Sequence, residues 1–136
     1  MKRFYSIEVK FSYENLAKEL IDIEANQSKK QIEQLAEVAD GEFSAFDEDI
    51  GIDKTSGSVS RLGLNYNWEF YSLDKIIQFI SSLPNKYQIL WIHNNDKKSN
   101  DLTYIIYSTY NKPETSKFTE EDKKLYLVIL NKLKSN

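Results

Sequence analysis

The amino-acid sequence predicts an α+β fold: a two-layer domain in which three or four helices cover a mostly antiparallel four-stranded sheet. Three observations predict it. Leu62, Leu64, Tyr66, Trp68 and Phe70 alternate strictly with Gly63, Asn65, Asn67 and Glu69, the pattern of a strand with one dry and one wet face. Segments of helical period are interleaved with strand-like ones along the chain. The 136 residues, 40% apolar and 29% charged, have the size and composition of one folded domain, with no linker or internal repeat.

Taken in order, Arg3–Phe11 is the first predicted strand, because Tyr5, Ile7, Val9 and Phe11 alternate with Ser6, Glu8 and Lys10. Ser12 is placed to cap a helix over Tyr13–Ala25, where Leu16, Leu20, Ile21 and Ile23 fall at helical spacing. Asn26-Gln27-Ser28 is either a break or a polar turn of one long helix. Ile32, Leu35, Ala36 and Ala39 continue the stripe, and Gly41 is placed to end it. From Asp40 to about Ser58 the chain reads as a loop, since Gly51 and Gly57 lie among Asp, Ser and Thr. The alternative is a short edge strand around Glu42–Asp47.

After the alternating strand, Ser72 caps a helix carrying Ile76, Ile77, Phe79, Ile80 and Leu83, and Pro84 closes it. Tyr87–His93 runs through Ile89, Leu90, Trp91 and Ile92 without a polar break, which predicts a central strand covered on both faces. Polar Asn94–Asn100 leads into a strand over Leu102–Tyr110, completing a hairpin. The last helix begins at Thr119, with Glu120, Glu121 and Asp122 suited to its first turn and Lys132 and Lys134 to its last. The strand near Leu62–Phe70 and the Leu102–Tyr110 strand are the candidate sheet edges, open to pairing with a second copy as a homodimer.

Composition excludes several functions. With no cysteine, disulfides and thiolate metal sites are impossible and a reducing, cytoplasmic setting is expected. Met1–Glu8 lacks the unbroken apolar core of a signal peptide, and no run reaches the roughly 18 to 20 apolar residues that span a bilayer. Net charge is −3, with 8 basic and 14 acidic side chains in residues 1–70 against 10 and 7 in residues 71–136. The acidic half would repel nucleic acid, so no direct nucleic-acid partner and no membrane partner are expected.

Catalytic chemistry finds little support. His93 is the one histidine, and acid–base work needs a geometric partner that no motif supplies. Gly41, Gly51, Gly57 and Gly63 fall in no phosphate-loop or nucleophile-elbow frame. Asp47–Asp53 superficially resembles a calcium loop, but glycine falls at the fifth position and Ser58 stands where a bidentate Glu belongs. Glu8-Val9-Lys10 matches half of a metal-dependent nuclease motif and lacks the further carboxylate that motif needs. Tyr104, Tyr107 and Tyr110 offer stacking surface without the basic groove of a single-strand binder. No catalytic residue, metal or cofactor is therefore expected.

One segment stands out. Between Asp40 and Asp53 lie six acids and no base, namely Asp40, Glu42, Asp47, Glu48, Asp49 and Asp53, with Phe43 and Phe46 among them. Either this is a solubilising loop whose rings anchor it to the core, or it is a docking surface. In the second case the carboxylates steer a basic partner and a ring supplies the desolvated anchor. The function expected is that of a small acidic inhibitor of immunity or antitoxin type, or a phage-encoded antagonist of a defence enzyme. Its partner would be a basic protein such as a nuclease toxin. A small-molecule or nucleotide-binding module with a Tyr/Trp-lined pocket is the alternative.

Overall fold

The computed structural model describes residues 3–14, 18–52, 59–96, 101–108 and 115–134. Strand β1 (Arg3–Glu14) leads into helix α1 (Lys18–Val38) and strand β2 (Glu42–Ile52). Strand β3 (Val59–Phe70), helix α2 (Leu73–Ser82) and strand β4 (Gln88–Asp96) follow, then strand β5 (Asp101–Ser108) and helix α3 (Glu120–Lys134). The sheet order is β2-β3-β1-β4-β5 and every neighbouring pair is antiparallel. The α+β two-layer class is as the sequence predicts. The four expected strands are present, and β2 joins them as a fifth.

β1 and β2 run the same way with β3 between them, and β3 and β4 run the same way with β1 between them. Elements β1 to β4 thus trace the β-α-β-β-α-β order of split β-α-β, or ferredoxin-like, motifs. Such an arrangement serves many unrelated functions and specifies none.

The core lies between the helices and one sheet face. Tyr5, Ile7 and Val9 of β1 oppose Phe70, Trp68 and Tyr66 of β3, and Ile7 and Val9 also oppose Ile92 and Ile89 of β4. All are buried, against Ile32 and Ala36 of α1, Ile76, Phe79 and Ile80 of α2, and Leu125 and Ile129 of α3. The other sheet face carries Ser6, Glu8, Lys10, Asn65, Asn67, Glu69, Trp91 and His93, each half-buried.

Several local expectations change. Ser12 does not cap a helix: it lies in β1 opposite Gly63, because strand pairing continues to Glu14. α1 is one helix of 21 residues without a break at Asn26-Gln27-Ser28, and Ser28 is fully buried. In its first half Leu20 and Ile23 are exposed and do not belong to an inward stripe. Leu16 lies outside the described residues. β3 is not an edge, because β2 pairs along its full length and covers it. β5 is an edge, and Tyr110 lies outside the described residues. β4 is interior as expected but is not covered on both faces, since Trp91 and His93 point to the helix-free side.

The α1–β2 turn is a Schellman motif. The Gly41 amide donates to the Ala36 carbonyl at 2.7 Å and the Asp40 amide to the Glu37 carbonyl at 3.1 Å. Asp40, not Gly41, takes the left-handed backbone, with φ of 54°. Gly41 is required for space, because a Cβ there would lie 2.5 Å from the Phe70 ring. Toward the β5 edge of the sheet, α3 opens with a capping box. The Asp122 amide donates to the Thr119 hydroxyl at 3.2 Å, and the Thr119 amide donates to the Asp122 carboxylate at 3.0 Å. The second Asp122 oxygen accepts from the buried Asn94 amide at 2.9 Å, tying α3 to β4.

Two stability experiments test these joints. Gly41→Ala presses a methyl group into a packed ring and should cost about 1–3 kcal/mol, read as a lower denaturant midpoint with unchanged slope. Thr119→Ala, which removes only the cap, should cost about 1 kcal/mol. Asp122→Ala also leaves the Asn94 amide unmet and should cost more, about 1–3 kcal/mol in addition to the cap.

Candidate functional site

Strand β2 is the terminal strand of the sheet and carries most of the acidic-aromatic segment. The loop reading of Asp40–Ser58 is therefore corrected for residues 42–52, and the edge-strand alternative extends further than Glu42–Asp47. The calcium-loop resemblance falls with it, since Asp47–Ile52 is extended backbone paired to β3. Asp53 and Ser58 lie outside the described residues.

A β-bulge decides where the rings go. Phe43 opposes Trp68 and Ala45 opposes Asn67, so Ser44 is an extra residue on β2. Its hydroxyl donates to the Asn67 carbonyl at 3.1 Å. Residues three apart on a regular strand face opposite ways. The inserted Ser44 instead brings Phe43 and Phe46 onto one face, the side of the helices, opposite Trp68 and Tyr66. Phe43 meets Trp68 edge-on at 5.2 Å between ring centroids, and Phe46 meets Tyr66 at 5.1 Å. The helices make their principal contacts with β1, β3 and β5. Phe43 and Phe46 consequently remain 54% and 47% exposed. Next to them, the Trp68 indole N–H is buried and has no hydrogen-bond partner among the described residues.

The acids separate into different roles. Asp40 sits in the Schellman turn and pairs with Lys75 of α2 at 3.0 Å, both groups exposed. An exposed pair of this kind contributes at most about 1 kcal/mol. Glu42 opposes Glu69 on the helix-free face and accepts a hydrogen bond from the Tyr71 hydroxyl at 3.2 Å. Tyr71 is raised above its ordinary pKa by desolvation and by the Glu42 and Glu69 carboxylates. Asp47 opposes Asn65 on the same helix-free face, whereas Glu48 opposes Leu64 and so shares the side of the two rings. Asp49 stands opposite Gly63 in the register. The segment is a ribbon with acids on both faces and aromatic rings on one.

Sequence reasoning missed the helix-free face. Trp91 was expected in the core, yet it stands on that face with its ring 4.3 Å from the His93 ring. The cause is a second bulge: Glu8 opposes Trp91 and Val9 opposes Ile89, leaving Leu90 as the extra residue. An unbroken apolar run gives no signal of which residue is extra. Burial lowers the His93 pKa below its ordinary value.

Elsewhere, a cavity of about 490 Å³ lies between α2 and α3, lined by Ser81, Asn85, Val128, Asn131 and Lys132. Among the described residues its lining holds no Tyr or Trp. The Lys132 ammonium donates to the Leu83 carbonyl at the C-terminal end of α2, and desolvation lowers its pKa. Among the described residues no three His, Asp or Glu side chains group to hold a metal ion. No helix among them is long and apolar enough to cross a membrane. Comparison with protein-family models, curated proteins and solved structures finds no match to this chain.

His93 yields a pH prediction. Its folded pKa is depressed, so the unfolded chain binds more protons just below the ordinary value of about 6.5. Stability should therefore fall as pH drops through 6.5 and level off below the folded pKa. His93→Gln should reduce the difference in melting temperature between pH 7.5 and pH 5.5, measured by calorimetry.

Proposed function

We propose that this chain is a small acidic inhibitor, of immunity or antitoxin type, that blocks a basic protein partner through β2. The observation that carries the reading is the half-exposure of Phe43 and Phe46 on a terminal strand whose charged side chains are all acidic. Charges and bulges alone are ordinary protection for an open sheet edge. Two large rings left in water on that edge are not, and they favour a contact surface. Carboxylates on β2 would steer a cationic partner, and the rings would supply the desolvated centre of the interface. A nuclease toxin or a defence enzyme with a basic substrate groove is the class of partner that such a surface fits. A chain without cysteine suits the reducing cytoplasm in which such inhibitors meet their targets.

The test is capture of partners from the native host with the tagged chain, followed by association kinetics on the purified pair. The wild-type chain should capture a basic protein and associate faster at low salt. Replacing Glu42, Asp47 and Glu48 with Lys should slow association at least about tenfold and abolish its salt dependence. Phe43→Ser with Phe46→Ser should instead speed dissociation by at least about tenfold. Binding unchanged by both sets of substitutions would overturn the assignment of β2 as the docking surface.

A further inference from the structure

We infer that β2 receives its partner by strand addition, taking an extended segment rich in Lys or Arg as a sixth strand of the sheet. The inference rests on the docking reading above and specifies its mode. β2 is 11 residues long and, among the described residues, pairs with β3 alone. A terminal strand directs half of its backbone N–H and C=O groups outward, where they template another strand. The faces of β2 then define what that strand must carry. On the helix side it meets Phe43, Phe46 and Glu48, and on the other side Glu42 and Asp47. An incoming segment that alternates apolar and basic residues satisfies both faces at once, since strand side chains alternate with a period of two. Its apolar side chains extend the rows begun by Trp68 and Tyr66 on β3 and continued by Phe43 and Phe46 on β2.

Charge selects the occupant. A second copy of this chain pairing through β2 would set Glu42, Asp47 and Glu48 against the same acids, with no base between residues 40 and 53 to offset them. Like charges placed opposite each other on neighbouring strands are destabilising. The edge is therefore closed to itself and open to a cationic strand, which a solvated acidic loop would not be.

The experiment uses the full ¹⁵N-labelled chain and two blocked eight-residue peptides of alternating Val and Lys. One peptide is unmodified. The other is N-methylated throughout, so that it keeps the side chains and charge but cannot form a ladder. The unmodified peptide should slow amide exchange selectively along Glu42–Ile52, and should bind at least about tenfold more tightly than the methylated one. Phe43→Ser with Phe46→Ser should weaken it. Equal binding of both peptides, sensitive to the same substitutions, would overturn strand addition while leaving the docking surface standing. Absence of any β2 perturbation at millimolar peptide would also overturn it, and the partner-capture experiment would then judge the docking reading separately. Concentration-dependent protection of β2 without peptide, with a dimer in sedimentation, would assign the edge to a second copy and overturn the cationic occupant.

Discussion

The row Leu64, Tyr66, Trp68 and Phe70 on β3 is the interaction on which the other elements are registered. On its helix side it meets the core, where Phe70 packs against Phe79 at 5.0 Å. Through the backbone it aligns β1 on one flank and β2 on the other. Three of its side chains also divide two duties along the row. Phe70 lies under Gly41 and so fixes how closely the chain can turn from α1 into β2. Trp68 and Tyr66 then support Phe43 and Phe46. The surface proposed to act is thus an outward extension of the hydrophobic core, held by the same strand that organises the interior.

This explains how apolar rings persist at an acidic edge without collapsing inward. Phe43 and Phe46 bury one side against β3 and leave the other toward water. Each therefore retains part of its transfer free energy while still offering apolar area, and about 25 cal/mol attends each further Å² removed from water. Rigid backing also reduces the ordering cost that a mobile loop would incur on binding. The neighbouring carboxylates keep this surface hydrated and self-repelling until an opposite charge arrives.

Much of the architecture was legible in the sequence because period survives where packing is regular. β1 and β3 show period two, and the inward residues of α2 and α3 show helical spacing. The Thr119 start of α3 was legible because its capping chemistry is local. What was not legible has a common physical origin. In β2 and β4 a single inserted residue, Ser44 or Leu90, changes the phase of alternation, so that Phe43 with Phe46 and Ile89 with Ile92 share faces at a spacing of three. The period-two template of a strand does not contain that spacing, and the acids and Gly51 further disguised β2 as a loop. Ser12 failed as a cap for a different reason: pairing with Gly63 outweighed its local preference. The site was legible as a composition but not as a surface. Its acids lie within fourteen residues of the chain, yet Asp40 is held by Lys75, Glu42 by Tyr71, and Asp47 and Glu48 stand on opposite faces.

Ser44 has a consequence for how this surface can change over evolution. Losing that one codon would restore regular pleating and leave Phe43 and Phe46 two residues apart, still on one face. Ala45 would still oppose Asn67, Phe46 would still oppose Tyr66, and Asp47 would still face away from the helices. A lineage could therefore shed the bulge and keep the contact ridge, whereas a second deletion between the rings would make them adjacent and split them between the two faces.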